Sequence, residues 1–126
     1  MKYLLDTHVV LWWLLDPKEL NKKARDIISD RTHLIFASSI SFWEMAIKSS
    51  IGRLSLPNNM IELLKNEKID TLPLTAEDAL AVADLPLLHS DPFDRMLVVQ
   101  AKRHDMVLIT RDNKLDQYPV DILERF

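Results

Sequence analysis

"KYLLDTHVVLWWLL", residues 2–15, looks at first like a membrane-seeking segment, but Asp6 and His8 interrupt it and leave only Val9–Leu15 as an unbroken apolar run. That run is far short of the roughly 20 residues a helix needs to cross a bilayer. No small-residue cleavage pattern follows it, so no signal peptide is expected. What remains is a buried strand at Tyr3–Leu5, an acid at its end, and a helix through Val9–Leu15.

The same alternation continues along the chain. "PKELNKKARDIISD" (17–30) reads as a second helix with Leu20, Ala24, Ile27 and Ile28 on one face. "HLIFA" (33–37) reads as a strand, and "SSISFWEMAIKSSIG" (38–52) as a helix opened by serine caps and closed at Gly52. "NNMIELLKNEK" (58–68) is a helix capped by an asparagine, "IDTLPL" (69–74) a short strand, and "TAEDALAVADL" (75–85) a helix with Thr75 as its cap. "DPFDRMLVVQAKRHD" (91–105) is a long helix, "MVLIT" (106–110) a strand, and "VDILE" (120–124) a final strand. Strands alternating with helices predict an α/β fold of three layers, a mainly parallel sheet with helices on both faces.

The totals fit one domain spanning 1–126. Nearly half of the 126 residues are apolar, no tract divides them, and a single glycine argues against a flexible multi-part chain. The lack of cysteine excludes disulfides, thiolate metal sites and cysteine nucleophiles. It also fits a reducing compartment, and a cytoplasmic location without membrane association is the expectation. A net charge of −3 supplies no global basic field for nucleic acid, so any polyanion site must be local.

Parallel sheets place ligands beyond the carboxyl ends of their strands. Asp6 follows the first strand, and Asp112 lies two residues past "VLIT", so both belong at that edge. Either alone reads equally well as a helix cap. Glu44 shares its helix face with Ile40, Ile47 and Ile51, and a glutamate in an apolar stripe needs a cation, a donor or a metal. A salt bridge to arginine or lysine is the plainer answer for it. Asp94 is followed by Leu97, Val98 and Ala101 at helical spacing, so it faces the core one turn into its helix. Asp91 differs: with Pro92 at the first helical position, it falls at the N-cap. Four carboxylates at one edge would repel, and a hard divalent cation such as Mg²⁺ or Mn²⁺ relieves that. Such sites activate water and stabilise phosphoryl displacement, which points to a metal-dependent phosphodiesterase or phosphatase.

"YLLDTHVVLWWL", "SSISFWEMAIKSSIGRL", "HSDPFDRMLVVQA" and "MVLITRD" together resemble the PIN-domain ribonucleases, specifically the VapC-type toxins of bacterial toxin–antitoxin pairs. The resemblance covers nearly the whole chain, with the four segments in the family's order. It implies a sheet of about five parallel strands and an endoribonuclease dependent on Mg²⁺ or Mn²⁺. The implied partners are RNA, a cognate antitoxin and a second copy of the chain. The family's acidic site carries over as Asp6, Glu44, Asp94 and Asp112, with Thr7, Thr110 and Asp91 placed to support those carboxylates. Lys48, Arg53, Arg95 and Arg111 are candidate RNA contacts, though Arg95 has Asp91 as an alternative partner. His8 reads as a surface or cap residue, and His33, His89 and His104 show no ligand spacing. Trp12, Trp13, Phe42 and Trp43 fit core packing or a subunit interface better than base stacking.

Other readings fit less well. A haloacid-type phosphatase would want an aspartate where His8 stands, and a phosphoacceptor receiver module would want an acidic pair after the first strand. An inactive PIN-fold module that only binds RNA or protein stays open.

Overall fold

In a computed structural model of the chain, residues 1–123 are described. Four parallel strands form the sheet in the order β3-β2-β1-β4: β1 Lys2–Leu5, β2 Leu34–Ser38, β3 Ile69–Leu72 and β4 Val107–Ile109. The helices are α1 Thr7–Leu15, α2 Lys22–Ser29, α3 Ser39–Ser50, α4 Met60–Asn66, α5 Ala76–Ala81 and α6 Pro92–Arg103.

The three layers follow from the strand period of two. Tyr3 and Leu5 face one core with Ile35, Ala37 and Ile109, covered by Val9 and Val10 of α1, Ala24 and Ile28 of α2, and Leu64 of α4. Leu4, between them, faces the opposite core with Leu108, covered by Leu97, Val98 and Ala101 of α6. Leu4, Leu5 and Leu108 are fully buried.

The edge positions depart from the expected five strands. "VDILE" makes one parallel bridge, Ile122 to Leu108, supported by Leu123 N–H donating to the Leu108 carbonyl at 2.9 Å. It therefore marks a fifth place beside β4 without a named strand, and Glu124 lies outside the described residues. The stretch 17–30 is also not one helix. A 3-10 turn at Pro17–Glu19 ends at Leu20, and Asn21 restarts the chain by capping α2 through Ala24 N–H. Asparagine competes with helical bonding in an interior but satisfies a free N–H at a start. Likewise, 75–85 divides into α5 and a 3-10 turn at Val82–Asp84.

Ser38 caps α3 as expected, and Thr75 forms a full capping box with Asp78. Asn59 stands at the start of α4 but makes no side-chain capping bond. At the end of α3, Gly52 has φ +78°, and Gly52 and Arg53 donate to the Ser49 and Lys48 carbonyls. That pairing is a Schellman closure, which wants glycine at this position.

Candidate functional site

Leu5 and Ile109 are partners in the parallel pairing of β1 and β4, so Asp6 and Thr110 emerge side by side at the carboxyl edge. Asp6 N–H donates to the Ile109 carbonyl at 2.9 Å, and the Thr110 hydroxyl donates to Asp6 Oδ2 at 2.7 Å. Thr110 Oγ1 also accepts Asp112 N–H at 3.0 Å, so one threonine joins the two strand-end acids. Asp6 Oδ1 meanwhile accepts Thr7 N–H at 2.7 Å and caps α1. Asp112 Oδ1 caps the 3-10 turn Asn113–Gln117 through Lys114 N–H. Capping and site placement thus coexist in both residues.

Asp94 lies on the first turn of α6 with its side chain 14 % exposed. Burial, followed by the charges of Asp6, Asp91, Asp112 and Glu44, pushes its carboxyl up to about 8. Its four acidic neighbours thus act on one group, although they come from four separate segments of chain. Asp6 is also raised, by burial above all, against the opposing bond from Thr110. Asp91 accepts Phe93 and Asp94 N–H at 2.9 and 3.2 Å, as an N-cap should. Replacing Asp91 with alanine should lower stability by about 1 kcal/mol in urea unfolding, while Asp91→Ser keeps most of it.

Glu44 is buried at 6 % exposure, in the company of Ile40, Ser41 and Met45. Ile47 and Ile51, expected on its buried stripe, are 40 % and 61 % exposed. Burial belongs to the first half of α3, where it packs on α1 and α6. Glu44 Oε2 takes Lys48 Nζ at 2.9 Å, so the salt-bridge reading of this glutamate holds for one oxygen. The other, Oε1, is buried without a hydrogen-bond partner.

The supporting and basic candidates divide. The Thr7 hydroxyl donates to Ser41 on α3 at 2.8 Å, which fastens α1 to α3 rather than reaching a carboxylate. Arg95 donates to the Leu85 carbonyl at 3.0 Å, not to Asp91. Arg53 is exposed beyond the α3 closure. Arg111 lies 4.3 Å over the Trp12 ring and bonds the Glu19 carbonyl, in a groove lined by Asp6, His8, Trp12 and Asp112. Trp13 and Phe42 pack on the core, whereas Trp43 is 60 % exposed and meets Phe93 edge-on. His89, given no role by spacing, stands 3.7 Å from Asp94 through Nε2. No periodicity connects a loop residue with a helix one turn later, so the sequence held no signal for that pair.

The donor set suits a hard divalent cation. Its donors are carboxylate oxygens, Glu44 Oε1 lacks a partner, and Asp94 is crowded by like charge. Among the described residues, no three His, Asp or Glu side chains stand close enough to form a ready-made cation site. The acids converge on one edge without closing into a cage. Mg²⁺ tolerates that openness, because it keeps several waters and takes only one or two carboxylates directly.

The sequence profile of the PIN domain matches residues 3–121. The chain belongs to the PIN-domain family. This PIN domain is VapC-type: it is 31 % identical over 115 residues to "Ribonuclease VapC22" of Mycobacterium tuberculosis, covering 89 % of this chain and 88 % of that protein. Its fold resembles the crystal structure of VapBC2 from Rickettsia felis bound to a promoter DNA fragment (TM-score 0.71, 17 % identity, 99 % and 98 % coverage). DNA-bound VapBC from Salmonella typhimurium is similar too (TM-score 0.64, 15 % identity, 98 % and 97 % coverage). Among the described residues of this PIN domain, no helix is long and apolar enough to cross a membrane.

Proposed function

We propose that this PIN domain is an Mg²⁺- or Mn²⁺-dependent endoribonuclease, the toxin of a type II toxin–antitoxin pair. The observation that carries the reading is the sheet edge itself, where Thr110 joins Asp6 to Asp112, Glu44 Oε1 is buried without a partner, and burial with four other acids pushes the Asp94 carboxyl up to about 8. A group so disfavoured as an anion is a functional candidate where its charge can be matched by a ligand. Asp6, Asp94 and Asp112 would hold the cation, directly or through water. When bound, the cation supplies Lewis acidity that activates water and neutralises the scissile phosphodiester.

The remaining tasks fall to the chain. Thr110 fixes Asp6 and Asp112 relative to each other through its two hydrogen bonds. Lys48 pins one oxygen of Glu44 and leaves Oε1 to orient the attacking water or accept its proton. Arg111, over the Trp12 ring, puts a guanidinium beside the acidic edge, where it adds positive charge for an RNA phosphate. Similarity to VapC22 supports ribonuclease activity, and likeness to VapBC structures supports a cognate antitoxin as protein partner.

A panel of defined RNAs incubated with Mg²⁺, Mn²⁺ or EDTA tests this reading. Internal cleavage by the wild type with either ion, lost in EDTA, is the expected result. Cleavage that persists in EDTA rules out the metal, and RNA binding without cleavage under any condition rules out the enzyme.

A further inference from the structure

His89 belongs to "HSDPFDR", five residues ahead of Asp94, and sits outside every regular element. Its side chain is 11 % exposed. Nδ1 lies 2.6 Å from the hydroxyl of Tyr118, itself 3 % exposed, and the two rings pack with centroids 5.3 Å apart. Nε2 is buried with no hydrogen-bond partner, and Asp94 Oδ2 stands 3.7 Å from it. A buried ring nitrogen left without a partner is unfavourable, so its direction carries information.

We propose that His89 is a positioning residue for Asp94. In this assignment the Tyr118 hydroxyl, 2.6 Å from Nδ1, is the donor, which leaves the ring's proton on Nε2. That N–H is aimed at Asp94 Oδ2 and becomes its donor when the carboxylate turns to hold a cation. The present 3.7 Å exceeds a hydrogen bond, so the bond forms only when the Asp94 carboxylate moves towards the ring. The ring is anchored on its far side by a residue from another part of the chain. Tyr118 directly follows the 3-10 turn that Asp112 caps, so a continuous path runs from Asp112 through that turn, Tyr118 and His89 to Asp94. Two of the acids are thereby set relative to each other by a route that passes through no strand.

The inference rests on the proposed cation site, and its test separates the two. Metal-stripped wild type and the variants His89→Ala, His89→Gln, Tyr118→Phe and Asp94→Asn are titrated with Mn²⁺ by calorimetry, and each is melted in EDTA. His89→Ala should weaken Mn²⁺ binding about tenfold or more, the scale for losing a group that orients a metal ligand. His89→Gln, whose amide nitrogen reaches the place of Nε2, should recover most of that loss. Tyr118→Phe, which keeps the ring but frees the imidazole, should fall between them. In RNA cleavage, His89→Ala should raise the KM for Mn²⁺ and keep kcat at saturating Mn²⁺. If His89→Ala binds within twofold of the wild type while Asp94→Asn is impaired, the positioning role is wrong and the cation site stands. Equal loss in His89→Ala and His89→Gln, tracking their melting temperatures, also overturns it in favour of packing. If Asp94→Asn binds Mn²⁺ as the wild type does, the cation site itself is wrong and the role of His89 falls with it.

Discussion

The Asp94→Asn variant should lose RNA cleavage by about 10² to 10³-fold or more, the scale of removing one preorganised electrostatic contact from an active site. The same variant should be more stable than the wild type in EDTA. The Asp94 carboxyl is held up to about 8, against an ordinary value of 3.8. A carboxyl raised by folding binds its proton more tightly in the folded state, so stability falls as pH rises from about 4 towards 8 and then levels off. The advantage of asparagine should therefore be absent near pH 4, grow through that window, and be largest above pH 8. Melting curves across the range in EDTA check this, and saturating Mn²⁺ should reduce or reverse the difference. A variant that is inactive because it is misfolded would melt lower, not higher.

Asp78→Ala should be the most destabilising of the single changes considered, by about 3 kcal/mol or more in urea unfolding. Asp78, in the first turn of α5, is fully buried against α6. It accepts the Thr75 N–H at 3.2 Å, Gln100 Nε2 at 3.1 Å and the Arg103 guanidinium, with His104 Nε2 also at 3.1 Å. Burial alone would raise its carboxyl, but Thr75, Gln100, His104 and Arg103 together outweigh that and hold it at about 2. A lowered carboxyl contributes stability above its unfolded value, and that contribution is lost as pH falls from about 4 through 2. Truncation takes one acceptor from the buried Gln100, which keeps the Pro73 carbonyl at 3.3 Å, and leaves Arg103 with only its partial exposure, which puts the loss at the lower end of the range for a broken buried pair. The damage should reach the acidic edge, because Gln100 also bonds the Ser38 hydroxyl that caps α3, the helix of Glu44.

Where periodicity alone governs placement, the sequence was readable. Pro92 fixed the phase of α6, and the phase assigned Asp91 to the cap and Asp94 to the buried side. The parallel alternation put Asp6 and Asp112 at one edge, where Thr110 now joins them. Glu44 is a mixed case. Its burial was expected from a stripe whose later members, Ile47 and Ile51, lie in the open. Spacing shows which residues share a helix face but not how far along the helix the neighbouring elements reach. Asn21 and Asn59 show the same limit in capping: both suit a helix start, and only Asn21 makes the bond. The pairing of His89 with Tyr118 crosses 29 residues between two irregular segments, so no period or propensity could announce it.

The central position of β1 has a consequence for the order of events when the chain is made. Asp6 emerges first, but the threonine that holds it lies 104 residues later. The strand that completes one side of β1 is the last of the four, and Asp94 and Asp112 flank it. Contacts spanning such separations form late, after the ends of a long loop have been brought together. A nascent chain on the ribosome therefore carries Asp6 on a strand paired on one side only, with neither Thr110 nor Asp112 beside it, until β4 is out. If the acidic edge is the nuclease centre, the protein stays inert towards RNA during synthesis until β4, Thr110 and Asp112 have joined β1.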